Sequence, residues 1–211
     1  MGANVRPKNG KRFVFGALFL STGAALVIYI ISGISLPAAL LLVLLAATIM
    51  GVYLFKKSKV NSRHYLYERF KVGLLSGFLA TLAYDGSRYL LIELTGISFW
   101  PFDIFTVFGQ ALLGAGYTGL WVTVAGVLYH LLNGVGFGIA YTIWAGEKGI
   151  WAGILWAFAL EVCMVSIYPG WLNINAFREF IDVSVLGHVV YGIVLGYTAK
   201  KCITKKWFKN G

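Results

Sequence analysis

The chain has 211 residues, of which 59% are apolar, 16% aromatic and only 12% charged, with a formal net charge of +10 and a mean hydropathy of +0.77. A soluble domain carries about 45–50% apolar and about 25% charged residues, so this composition excludes one; the aromatic load excludes a disordered chain, and two cysteines exclude a disulfide scaffold. What remains is an all-α polytopic membrane protein.

No charged residue stands between Arg12 and Lys56. A helix crosses the hydrocarbon core with about 20 residues, so residues 13–55 hold two spans. The turn between them falls at Ser32-Gly33-Ile34-Ser35-Leu36-Pro37, a cluster of chain breakers. A basic start (Arg6, Lys8, Lys11, Arg12) before an apolar run has the outline of a signal peptide. The run is too long for one and no small-residue cleavage site closes it, so it reads as an uncleaved anchor. Arg6 occupies the position where myristoylation of Gly2 needs Ser or Thr.

Four further apolar segments predict spans over 72–96, 119–145, 149–169 and 180–199. Residues 97–116 are apolar as well, and form either a seventh span or an outer interfacial or re-entrant helix. The distribution of Lys and Arg decides, because they collect on the cytoplasmic side. With six spans and both termini inside, the inner side receives every Lys and Arg except Arg88 and Arg178. A seventh span would move Lys148 and the tail (Lys200, Lys201, Lys205, Lys206, Lys209) to the wrong side. The prediction is six spans in the plasma (inner) membrane. Segment 97–116 is then an outer helix opened by Trp100 and Pro101, with Phe102, Phe105 and Phe108 facing lipid. The positive charge is assigned to topology and to anionic inner-leaflet lipids as partners, not to nucleic acid. The basic run 56–71 reads as a lipid-facing collar, with His64 solvated within it.

The spans repeat. Span three reads Gly73-x3-Gly77-x7-Asp85 and span five Gly149-x3-Gly153-x7-Glu161. Span four reads Val127-Leu128-Tyr129-His130-x3-Gly134-x3-Gly138, and span six Val185-Leu186-Gly187-His188-x3-Gly192-x3-Gly196. The expectation is a duplicated helical hairpin forming a four-helix core, the halves related by a pseudo-two-fold axis along the membrane normal. The N-terminal hairpin is then residues 1–60, and the core residues 61–211, with repeat one over 70–145, repeat two over 148–200 and a basic tail. GxxxG faces let helix backbones approach closely in lipid. Gly134-x-Gly136-x-Gly138 belongs to such a face and not to a nucleotide loop, having no strand before it.

Asp85 and Glu161 each stand eight residues beyond the second glycine of their motif, about 12 Å at 1.5 Å per residue. His130 and His188 stand eight residues before Gly138 and Gly196. All four thus share one depth near the bilayer centre. A carboxylate facing lipid there costs about 2.5–3.5 kcal/mol on insertion scales, so they face inward. Arg88, Asn133 and Tyr191 lie one turn from Asp85, His130 and His188, and complete the candidate site. Arg88 has no counterpart in the second half, where Met164 stands.

Three readings of this site are open. Protons, a cation or a small polar solute bind between the halves during transport, as buried carboxylates and imidazoles allow. Alternatively, His130, His188, Asp85 and Glu161 hold a divalent metal, or the two histidines a haem, in a membrane enzyme or electron-transfer subunit. In the third reading the groups are hydrogen-bonded glue in an accessory subunit of a larger complex or homo-oligomer. Soluble-enzyme motifs (Gly-x-Ser-x-Gly, His-Glu-x-x-His, Cys-x-x-Cys) do not occur.

Gly149 to Gly153, Pro169 closing span five, and Leu186-Gly187-His188 together resemble the YagU-type family of uncharacterised bacterial inner-membrane proteins. The likeness covers the last four spans. It implies a link to acid tolerance and carries over no functional residue; Glu161 stands where that pattern has a histidine.

Overall fold

The computed structural model describes residues 9–172 and 176–205. Arg6, Lys8, Lys206 and Lys209 lie outside these. Every regular element among the described residues is helical: α1 (Asn9–Leu18), α2 (Ser21–Ser32), α3 (Leu36–Lys56), α4 (Val60–Thr95), α5 (Asp103–Leu113), α6 (Leu120–Ala145), α7 (Ile150–Leu172) and α8 (Phe177–Thr204). Four of them, α3, α6, α7 and α8, are long and apolar enough to cross a membrane, and α1 with α2 makes a fifth if the pair is one bent span. The 36-residue α4 is not among these four, because its last turns carry Asp85, Arg88 and Glu93.

The turn between α2 and α3 falls where the breakers stand. Gly33 takes the left-handed conformation (φ 72) and its amide closes α2 on the Tyr29 carbonyl at 3.1 Å. Pro37 sits in the first turn of α3, where its missing N–H breaks no helical bond. The segment before this turn is not one straight helix. α1 and α2 meet at a 60° bend, and the Ser21 hydroxyl takes up the Leu18 carbonyl there. The bend rests on α6: a methyl on Gly136 would lie 2.6 Å from the Phe19 carbonyl oxygen.

The basic run also differs from its expected form. Residues 60–71 are the first turns of α4, and Arg69 points inward, only 5% exposed. Its guanidinium lies 4.8 Å over the Tyr65 ring and pairs with Glu147 in the α6–α7 turn. His64 is exposed. α7 continues through Pro169 to Leu172 where the sequence predicted a stop. Trp171, beyond the proline, stacks on Phe108 at 6.4 Å and meets Tyr29 edge-on at 5.9 Å; this packing offsets the hydrogen bond a proline removes.

Four long helices lie in the order α6–α4–α8–α7, each packed along the next, while α6 and α7 meet chiefly at their connecting turn. There Trp144 meets Trp156 at 5.3 Å, and the Tyr141 hydroxyl donates to the Gly149 carbonyl at 2.9 Å. The arrangement is an open row rather than a bundle closed around one axis. Glycines set two of its contacts. A methyl on Gly77 of α4 would lie 3.1 Å from Gly138 Cα of α6, and one on Gly196 of α8 would lie 2.6 Å from the Gly149 carbonyl oxygen at the foot of α7. α3 stands at the edge with Leu41, Leu42, Leu45 and Ile49 exposed.

The segment after α4 folds back on α4 and α6. The Arg88 guanidinium, about two turns before the end of α4, donates to the Pro101 carbonyl at 3.4 Å. Beyond Gly96 (φ 67) the chain therefore doubles back before α5 runs antiparallel to the start of α6. Gly109 and Gly126 let those two helices touch backbone to backbone, against the Val122 and Phe105 carbonyls. Phe108 is 3% exposed and packs on Tyr129; Phe105 lies against His130, and Phe102 under Arg88. The lipid-facing assignment of these three rings is overturned by that hairpin contact, which turns them toward α6 and α4.

Candidate functional site

The depth assigned from spacing brings the residues together two by two. Asp85 of α4 faces His130 of α6, with Oδ2 3.0 Å from Nε2. Its other oxygen, Oδ1, accepts from Arg88 Nη1 at 3.3 Å. Glu161 of α7 faces His188 of α8, with Oε2 2.6 Å from Nδ1. The Ser184 hydroxyl donates to the same Glu161 oxygen at 2.8 Å, and the Ser184 carbonyl lies 3.0 Å from His188 Nδ1. In each pair the glycine contact between the two helices lies on the same side, about two turns away, which is why the spacing matters.

The pairs differ in cover. The Asp85 and His130 side chains are 21% and 17% exposed, against 6% and 11% for Glu161 and His188. The first pair is charge-compensated by Arg88, itself buried with its guanidinium 4.6 Å over the Tyr84 ring and 5.4 Å over Phe102. Among the described residues nothing cationic is paired with Glu161 except His188 when protonated.

The two pairs do not merge into one centre. Tyr84 stands between the imidazoles, its ring 5.9 Å from His130 and 5.0 Å from His188, centroid to centroid. It is seated by Gly187, where a methyl would fall 2.7 Å from the ring. Among the described residues no three of His, Cys, Asp and Glu gather closely enough to hold a metal ion. A haem between His130 and His188 would need the space that Tyr84 fills. The single four-residue metal site and the bis-histidine haem therefore do not fit these side chains as they stand.

Of the flanking candidates, Arg88 is in the site, as above. Asn133 is buried near it with Oδ1 unbonded. Tyr191 is engaged one turn further along, its hydroxyl donating to the Gly134 carbonyl of α6 at 2.7 Å, so it ties α8 to α6 instead of reaching a carboxylate. Glu161 Oε1 and Arg88 Nε are also buried without a hydrogen-bond partner among the described residues. Buried polar atoms are bonded in the great majority of cases, so three such atoms around one site are unusual.

Tyr84, Ser184 and Phe105 belong to the site and were not assigned to it from the sequence. Ser184 had a signal, since it precedes His188 by one helical turn. Tyr84 and Phe105 had none, because aromatic residues are everywhere in this chain. No family model, no curated protein and no solved structure matches the chain, so the reading of this site rests on its geometry.

Proposed function

We propose that the chain is a six-span protein of the plasma (inner) membrane, both termini cytoplasmic, that moves protons through two carboxylate–imidazole pairs. α4 is the sixth span in this reading: it is long enough, about 54 Å at 1.5 Å per residue, and its polar face is covered by α6 and α8. The pairs Asp85–His130 and Glu161–His188 are equivalent stations of a duplicated hairpin, one from each half. YagU-type proteins, which the last four spans resemble, fit this reading through their link to acid tolerance.

The observation that carries the proposal is that each buried carboxylate has one oxygen at hydrogen-bond distance from an imidazole nitrogen, 3.0 Å and 2.6 Å. A proton passes between such atoms without backbone movement, and imidazole titrates in the physiological range. A proton also suits the site better than a metal or hydrated cation, because Tyr84 leaves each station only one carboxylate. The more exposed station, Asp85–His130, exchanges with water first. Glu161–His188 is the sealed one, and its unbonded Oε1 is the acceptor for a proton arriving from it.

The test is a pH step across vesicles containing the purified full chain and an entrapped pH-sensitive dye. Wild-type protein collapses the gradient faster than empty vesicles, and Glu161→Gln does not. Equal rates for wild type and Glu161→Gln would sink the reading. A second reading is favoured for one residue by a specific contact: Arg88 neutralises Asp85, and to that extent the first station is structural.

A further inference from the structure

A cavity of about 310 Å³ lies away from the midplane residues, where α1, the first turns of α4 and the α6–α7 turn meet. Its charged lining is Arg12, Arg69, Lys148 and Glu147, and Tyr65 and Trp144 form an aromatic wall. Three cations against one carboxylate leave it net positive. Two of the cations are held in place. Arg12 donates from Nε to the Ile143 carbonyl at 2.5 Å and from Nη2 to the Trp144 carbonyl, at the negative end of α6. Arg69 is buried against Tyr65 and pairs with Glu147. Lys148 and Glu147 are exposed at the mouth.

A volume near the lower limit of small-molecule sites, about 300 Å³, lined by guanidinium groups and an aromatic wall, has the chemistry of a phosphate pocket. Basic pockets between spans on the cytoplasmic side are where anionic headgroups dock. We infer that this cavity binds a phosphate group, with Glu147 holding Arg69 in the ligand's place until the phosphate arrives. The phosphate is carried by an anionic phospholipid of the inner leaflet or is free in solution. The lipid source rests on the orientation proposed above, whereas the phosphate chemistry does not.

The two residues at the mouth give variants of opposite sign. The full chain in detergent is titrated with short-chain phosphatidylglycerol, with short-chain phosphatidylcholine and with inorganic phosphate, and bound ligand is counted by native mass spectrometry. Lys148→Gln weakens phosphatidylglycerol binding about fivefold, the factor that about 1 kcal/mol per basic residue corresponds to. Glu147→Gln strengthens it by about the same factor, because Arg69 loses its internal partner. Competition by inorganic phosphate places the headgroup phosphate in the cavity, and binding of phosphate without phosphatidylglycerol makes the source soluble. Equal retention of phosphatidylglycerol and phosphatidylcholine together with no binding of phosphate overturns the inference. Weakening in both variants overturns it as well, since a merely structural Arg69–Glu147 pair behaves that way. Proton flux is read separately on vesicles of the same variants, so failure here and failure of the proton reading are distinguishable.

Discussion

Two carboxylate–histidine pairs stand at matching places on α4–α6 and α7–α8, yet they differ in charge and cover. Asp85 has Arg88 at 3.3 Å and is 21% exposed, whereas Glu161 has no Lys or Arg paired with it among the described residues and is 6% exposed. A carboxylate bonded to a buried guanidinium has a fixed partner on its own helix. A more deeply covered carboxylate facing an imidazole has its partner on the neighbouring helix. The comparison teaches that like spacing in sequence gives like heights on the helices, while a single side chain, Arg88, sets the two pairs apart.

The sharpest way to break this comparison is to remove Asp85. Asp85→Ala leaves Arg88 buried without its carboxylate, which costs about 3–5 kcal/mol and lowers the thermal unfolding midpoint in detergent. Arg88→Met in the same chain restores part of that loss; if the double variant is no more stable than the single one, Arg88 is not compensating Asp85. Next comes the helix contact beneath the second pair. Gly196→Ala sets a methyl 2.6 Å from the Gly149 carbonyl oxygen, an overpacking cost of about 1–3 kcal/mol. It should also slow any proton flux that needs the Glu161–His188 contact. Flux unchanged despite lowered stability would separate the glycine contact from the site.

Glu161→Gln has the smaller effect on stability, about 1 kcal/mol or less, since an amide still accepts from Ser184. Its effect on flux is complete. A stability loss as large as that of Asp85→Ala would make both pairs structural. The smallest change is at the segment between α4 and α5. Glu179 accepts from the Ser98 hydroxyl at 2.9 Å and the Phe99 amide at 2.8 Å, and Glu179→Gln loosens both. Amide hydrogen exchange at Phe99 should rise while unfolding moves by about 1 kcal/mol or less. An unchanged exchange rate would show that packing of Phe99 on Phe180 alone holds the segment.

Much of the fold was legible because the bilayer imposes length and charge rules on helices. The Gly33–Pro37 turn and the long apolar helices follow from spacing along the chain, and Asp85, His130, Glu161 and His188 were given a common height but not their partners. Spacing gives height along an axis, however, and says little about which helix lies beside which. That is why four residues expected around one axis are two pairs with Tyr84 between them: the row α6–α4–α8–α7 is decided by small residues touching across helices. The same gap hid the inward turn of Arg69, whose partner Glu147 lies in a distant turn. Segment 97–116 was read as an outer helix with its rings in lipid, since hydropathy cannot tell rings packed on α6 from rings in lipid. The bend at Phe19 was unreadable because its cause is Gly136, on another helix.

The open row also bears on how the protein is made. α4 is the least apolar of the long helices, and its polar face is closed on one side by α6 and on the other by α8, which is made only after α5, α6 and α7. Chains lengthen at about 5–20 residues per second, so α4 spends seconds with Asp85, Arg88 and Ser76 only half covered. Truncation ahead of α8 therefore leaves one side of the polar face of α4 open, which makes the arrival of α8 the step that completes the cover of that helix.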